Sequence, residues 1–112
     1  TGNLEEAETA LLKIEEDMKG SKDLLYLPLS EIYYKKQDYK KALEYALKAY
    51  NIKPYDIDYC KQLLKIYHVI DDYYNELNIY KHLLDFDKRN KEYKKKIMEL
   101  EEKINNGKMK NV

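Results

Sequence analysis

The side chains best suited to catalysis or metal binding are one cysteine, Cys60, and two histidines, His68 and His82. The histidines fall in different helical patterns and, together with Cys60, do not have the spacing of a zinc site. Cys60 falls at an apolar position of a helical pattern, which favours a small core residue over a nucleophile. The sequence contains no glycine-rich phosphate loop. We therefore expect no catalytic site, no metal and no cofactor in this chain.

Length and composition limit the elements that could position any site. The chain has 112 residues, enough for one compact domain, with 3 Gly and 2 Pro, so long helices with short links fit better than many strands. The 21 basic residues balance the 21 acidic ones, which argues against a nucleic-acid partner. The longest apolar runs fall far short of the roughly 20 residues of a membrane span, so no membrane partner is expected. A single cysteine excludes an intrachain disulfide and is compatible with a cytoplasmic location.

An internal repeat organises the chain, because the pattern of 23–56 recurs over 57–90. The repeat pairs identical residues along these two consecutive units: Leu29 with Leu63, Ile32 with Ile66, Tyr33 with Tyr67, Asp38 with Asp72, Tyr39 with Tyr73 and Leu43 with Leu77. Because such self-similarity is the signature of stacked structural repeats, the repeat predicts the architecture more strongly than any single motif does.

Each unit contains two helical patterns. In the first unit Leu29, Ile32 and Tyr33 share one face of a helix over 24–36, and apolar residues from Tyr39 to Ile52 share one face of its partner. The second unit repeats this plan and ends its second stripe at Phe86. Asp38 and Asp72 precede the second helix of each unit, where a carboxylate can cap free backbone N–H groups. We expect breaks near residues 20–23, 37–38, 53–56, 71–72 and 87–90.

The two ends of the chain each add one amphipathic helix. The first carries a stripe that includes Leu4, Leu11 and Ile14, and the last carries Tyr93 to Ile104 on one face and charge on the other. We expect residues 91–105 to form a capping helix and 106–112 a disordered tail. The chain opens inside a helical pattern without Met, so we expect it to be part of a longer protein.

The unit over 23–56 resembles the tetratricopeptide repeat. Tyr26, Leu29, Ser30 and Tyr33 fall on the family's positions in the first helix, and Ala42, Ala46, Ala49 and Pro54 on those of the second helix and its end. Residues 57–90 match less completely, residues 1–22 resemble the second helix of a truncated repeat, and 91–105 resemble the terminal helix. The resemblance implies an all-α, right-handed solenoid of about six antiparallel stacked helices.

Two residues depart from the family pattern. Glu76 stands where a small residue is usual, and a buried unpaired carboxylate would be costly, so we expect it at the edge of the last packing layer, beside the terminal helix. Pro28 removes one backbone donor from the first helix of its unit, so we expect that helix to begin late or irregularly.

The resemblance also implies a binding surface, because the first helix of each pair lines the concave groove in this family. The implied residues are Leu24, Leu27, Glu31, Tyr34, Lys35, Asp58, Lys61, Lys65, His68 and Lys95. The family's clamp for a C-terminal carboxylate is absent, since Leu27, Pro28, Glu31, Asp58 and Gln62 stand at its lysine, asparagine and arginine positions. An unspecialised groove for a protein segment is left.

The sequence therefore favours a non-enzymatic scaffold that binds a segment of another protein. A structural role is the alternative, in which the chain stacks on further repeats or forms a homo-oligomer through residues 4–18. A third possibility is an accessory domain of a larger enzyme or regulator. The residues alone do not separate the first hypothesis from the third.

Overall fold

The structure is a computed structural model that describes residues 2–20 and 22–110, with side chains over 3–20 and 22–107. This part of the chain is all-helical and contains no strand, so the predicted all-α class is confirmed. Six helices follow one another: α1 Gly2–Asp17, α2 Asp23–Lys35, α3 Tyr39–Ile52, α4 Ile57–Val69, α5 Tyr73–Phe86 and α6 Lys91–Lys110. Each predicted break lies at a junction between consecutive helices. In the described ranges, none of these helices combines the length and the apolar character needed to cross a bilayer.

The chain divides into two compact units, with the boundary inside α4 after Gln62. The core of the first unit lies between α2 and α3, where Leu29, Ala42 and Ala49 have no exposed surface. The hydroxyl of Ser30 on α2 donates a 2.7 Å hydrogen bond to the backbone carbonyl of Ala42. Such a bond requires the two backbones to approach closely, which small side chains permit.

The turn between α2 and α3 closes α2 and starts α3 within three residues. Gln37 adopts a left-handed conformation with φ of 63°. Its N–H donates to the carbonyl of Tyr34 at 3.0 Å, and the N–H of Asp38 donates to that of Tyr33 at 2.9 Å. This bond pair is the Schellman motif. The carboxylate of Asp38 then accepts from the N–H of Lys41 at 3.2 Å, as the sequence predicted for a cap.

The turn between α4 and α5 repeats this geometry one sequence period later. Asp71 has φ of 59°, and its N–H donates to the carbonyl of His68 at 3.2 Å. The N–H of Asp72 donates to the carbonyl of Tyr67 at 2.9 Å, and its carboxylate accepts from the N–H of Asn75 at 3.3 Å. The sequence period is therefore matched by a period in local backbone structure.

One core cluster of the second unit lies between α5 and α6. Leu77, Ile97 and Leu100 are buried there. Around them pack four half-buried side chains, those of Tyr73, Tyr80, Leu84 and Ile104. The buried residues of α6 recur every three or four positions, which leaves its opposite face charged and open to solvent.

Pro28 does not delay α2, which contradicts the expected late start. The helix begins at Asp23 and passes through Pro28, and its first turn is tight, with the N–H of Leu25 donating to the carbonyl of Lys22 at 2.9 Å. The missing donor of Pro28 would have paired with the carbonyl of Leu24 in the first turn. The loss is confined to the helix end, where backbone groups are least constrained.

Two further expectations about helix ends are wrong. The α6 helix continues to Lys110, so residues 106–110 of the predicted disordered tail are helical, while 111–112 lie outside the described residues. A single Gly107 costs a helix only about 1 kcal/mol, which is too little to end it. Ile52 and Phe86, expected on core stripes, are 47% and 57% exposed because they are the last residues of their helices.

The close contact at Ala42 predicts a size limit. We expect Ala42→Leu to lower the free energy of unfolding by about 1–3 kcal/mol, because the added atoms would push α2 and α3 apart. Glu44→Leu on the exposed side of α3 is the control and should change it by less than about 0.5 kcal/mol. Urea denaturation of both variants checks this. Equal midpoints would show that α3 does not approach α2 at Ala42.

Candidate functional site

The predicted groove residues of α2 lie together on its solvent-facing side. Leu24 is 74% exposed, Leu27 is half-buried, and the charged side chains of Glu31 and Lys35 are exposed. Tyr34 completes this side and packs its ring edge-on against Tyr39 of α3, with 5.5 Å between ring centroids. The open face of α2, as we call these five groove residues, therefore combines an exposed aliphatic end with a charged and aromatic end.

The first half of α4 packs beside α2. The hydroxyl of Tyr59 donates to the carbonyl of Asp23 at 3.4 Å, and the amide Nε2 of Gln62 donates to the hydroxyl of Ser30 at 2.9 Å. The later residue of α4 meets the later residue of α2, so the two helices run in the same direction. Both Gln62 and Ser30 are buried.

Two predicted groove residues are presented by this part of α4. Asp58 and Lys61 are exposed, one residue before each of the side chains that contact α2. Within the first unit, the structure thus brings an acidic and a basic side chain onto a helix that neighbours the open face of α2.

The start of α2 is fixed by an ion pair. The ammonium of Lys53, just after α3, lies 3.1 Å from the largely buried carboxylate of Asp23. A hydrogen bond with Asp23, and then the charge of that carboxylate, raise the pKa of Lys53. An acidic group in the first turn of a helix is also favoured by the helix dipole. The end of the open face that carries Leu24 is therefore held in position.

The remaining predicted groove residues lie in the second unit. Lys65 and His68 are exposed on the second half of α4, and Lys95 is exposed on α6. The Nδ1 of His68 lies 3.3 Å from Oε2 of Glu76 on α5. Its ring therefore has a structural contact besides any role in binding.

Glu76 is buried, which corrects the expectation that it lies at a layer edge. Only 5% of the residue is exposed, and its contact is with His68 of α4. In the described part of the chain, its other oxygen, Oε1, is buried with no hydrogen-bond partner. Burial, followed by the charge of Glu76, raises the pKa of Tyr80. The hydrogen-bonding needs of this carboxylate are thus only half satisfied.

Cys60 is a core residue, as expected. It is 1% exposed, and its thiol donates a 3.6 Å hydrogen bond to the carbonyl of Pro54. Burial raises the pKa of the Cys60 thiol, which disfavours the reactive thiolate. Over the described residues, His, Cys, Asp and Glu side chains form no group of three or more that could hold a metal ion.

Sequence reasoning missed the buried polar residues that position these surfaces. Gln62 and Ser30 are 32 positions apart, and although Ser30 falls on a small-residue position of the repeat pattern, nothing in the sequence pairs it with Gln62. The repeat period gives no direct signal for this contact, because Gln62 falls two positions short of one repeat after Ser30. Compared with known proteins, the chain matches no family model and no curated protein sequence.

The contact between His68 and Glu76 predicts a pronounced non-additivity. His68→Ala should lower the free energy of unfolding by about 1–3 kcal/mol, because it leaves a buried carboxylate with no side-chain partner. Glu76→Met, of similar length, should be neutral or stabilising by about 1–3 kcal/mol.

In the Glu76→Met background, His68→Ala should cost less than about 0.5 kcal/mol, since nothing buried is left unpaired. Urea denaturation of the four proteins in this double-mutant cycle measures the coupling. Additive effects would mean that His68 does not stabilise the Glu76 carboxylate.

Proposed function

We propose that this chain is a tetratricopeptide-type helical solenoid, without catalytic activity, that binds a segment of another protein. The partner segment lies along the outward side of the first helix of a repeat. The open face of α2, together with Asp58 and Lys61 of the neighbouring α4, is the part of this surface that the first unit presents.

The repeat assignment is supported by spacing at two levels. Helices of 13 and 14 residues alternate from α2 to α5, and equivalent helices start one sequence period apart. The Schellman turns at Gln37 and Asp71, and the caps at Asp38 and Asp72, have the same separation. A chain that builds one helical hairpin twice, with the same turn, is suited to stacking.

The observation that carries the binding proposal is the exposure of Leu24. A leucine that is 74% exposed, next to a half-buried Leu27, offers apolar surface on a helix that buries Leu29 and Tyr33 elsewhere on its surface. Lys35 is exposed about three turns later on the same helix, and Lys61 is exposed on the neighbouring part of α4. This combination suits a segment with an aliphatic anchor and an adjacent Asp or Glu. Because exposed ion pairs contribute little, the anchor supplies most of the affinity, which should be micromolar in order of magnitude.

A double charge reversal tests this surface. Lys61→Glu with Lys65→Glu should weaken binding of the natural partner, identified by pull-down with the full-length protein, about ten-fold. Leu24→Ser should weaken it at least as much. Calorimetry at fixed salt measures both effects.

The matched control reverses two lysines on the second helices of the pairs, Lys40→Glu with Lys81→Glu. Both are exposed, and the change in net charge is the same. Unchanged affinity in the control supports the proposal. If instead the control abolishes binding and the α4 variant does not, the working surface is the flank formed by the second helices.

Self-association is the second candidate function. On α1 the apolar side chains of Leu4 and Leu11 are only half-buried and Ile14 is 46% exposed, so residues 4–18 offer apolar surface to a further repeat or a second copy. Sedimentation of the parent chain and of Ile14→Ser tests whether two copies associate through this surface, because the substitution should weaken such association. A parent chain that stays monomeric at high concentration would contradict this candidate.

A further inference from the structure

The α1 helix is attached to the rest of the first unit without burying any of its described side chains. Over residues 3–17 every side chain is exposed or half-buried, including Leu4, Leu11 and Leu12. By contrast, the contact between α2 and α3 encloses Leu29, Ala42 and Ala49 completely. The two contacts of this unit therefore differ in kind, one dry and the other accessible to water.

Carboxylates make the specific contacts of α1. Both oxygens of Glu8 lie 3.2 Å from the ammonium of Lys36, at the end of α2, and Glu8 is also hydrogen-bonded to the hydroxyl of Tyr33. Burial, and then the charge of Glu15, raise the pKa of Tyr45, so the Glu15 carboxylate lies beside the Tyr45 hydroxyl. Glu8 and Glu15 are seven residues apart, which puts them on one side of a helix, with Leu11 between them. Two acidic groups around a leucine thus form the contacting side.

The surface beneath α1 is built mainly from tyrosines. Tyr33 of α2 and Tyr45 of α3 stack with 5.6 Å between centroids and 8° between planes, and Tyr26 lies 6.0 Å from Tyr45. These tyrosines and Lys36 are called the tyrosine seat. Burial, and then the charge of Glu8, raise the pKa of Tyr33 to about 12, so its hydroxyl stays a donor across the physiological range. Hydroxyl groups and an ammonium group, all donors, therefore face the occupant.

Lysines complete the chemistry of this surface. The ammonium of Lys48 lies 4.8 Å from the centroid of Tyr45 and 5.8 Å from that of Tyr26, and that of Lys41 lies 5.3 Å from the centroid of Tyr33. Cations over ring faces add positive potential beside the hydroxyl groups. Helical spacing puts Tyr26 and Tyr33 on the side of α2 opposite Leu24 and Glu31, so the seat is separate from the open face.

We propose that the tyrosine seat is a second protein-binding surface, for an acidic amphipathic helix with two carboxylates seven residues apart around a leucine, and that α1 covers it as a displaceable intramolecular occupant. The occupant defines the chemistry of the partner, because α1 itself carries this pattern. The α1 helix can exchange with a partner helix because it is held by partly exposed polar contacts. Such contacts open more readily than a buried apolar core does. Tethering gives α1 a high effective concentration, so an equivalent helix in solution competes poorly until α1 is loosened.

The test uses a fluorescein-labelled peptide with the sequence of residues 3–18 and the full chain. Loosening α1 in the chain by Glu8→Lys with Glu15→Lys should increase peptide affinity at least about ten-fold over the parent chain, by fluorescence anisotropy. The control chain, Glu6→Lys with Glu16→Lys, has the same charge change on exposed positions and should bind like the parent. A peptide that itself carries Lys at the positions of Glu8 and Glu15 should not bind the loosened chain. Equal affinity for the three chains, or no binding to the loosened chain up to about 1 mM peptide, would overturn the proposal.

Amide hydrogen exchange tests the same proposal on the parent chain, without any substitution. Excess unlabelled peptide should accelerate exchange of the α1 amides and leave those of α2 and α3 protected. Peptide binding without a change in α1 exchange would place the peptide elsewhere and also contradict the proposal. Neither outcome bears on the open face of α2, because Lys61, Lys65 and Leu24 are unchanged in every chain used.

Discussion

The close approach of α2 and α3 at Ala42 is the constraint on which the first unit depends. A hydroxyl from one helix reaches the backbone carbonyl of the other at 2.7 Å, and that hydroxyl accepts from the amide of Gln62 on a third helix. Buried polar groups stabilise a fold only when they are satisfied, so this chain of two hydrogen bonds fixes how three helices pack. The open face of α2 inherits its orientation from this contact, because the side of α2 that is packed determines the side that is open.

A second kind of contact is polar. Glu8 of α1 pairs with Lys36 in the first unit, and Glu76 of α5 pairs with His68 of α4 in the second. Such contacts specify geometry at little gain in stability. Elements held in this way open more readily than a close-packed helix pair does.

Local signals account for what the sequence predicted well. Helix bounds follow from hydrophobic spacing and from the caps at Asp38 and Asp72, each of which acts within a few residues. Pro28 and Gly107 both lie inside helices, since a helix tolerates one missing donor near its start or one glycine near its end. The two left-handed turn residues, Gln37 and Asp71, carried no glycine signal. Their conformation follows from the hydrogen bonds that close each helix.

The sequence by itself determined the all-helical class, the order of the six helices and their approximate bounds. Periodicity encodes these properties, because one helix face must be apolar to be buried. Only the tertiary structure decided that Glu76 is buried against His68, that Gln62 reaches Ser30, and that Glu8 and Glu15 meet a tyrosine stack. Each of these contacts joins polar residues on different helices. A hydrophobic pattern predicts which side of a helix is packed, but not which polar side chain of a neighbouring helix lies against it. The packing of whole helices therefore selects the partner of each buried polar group.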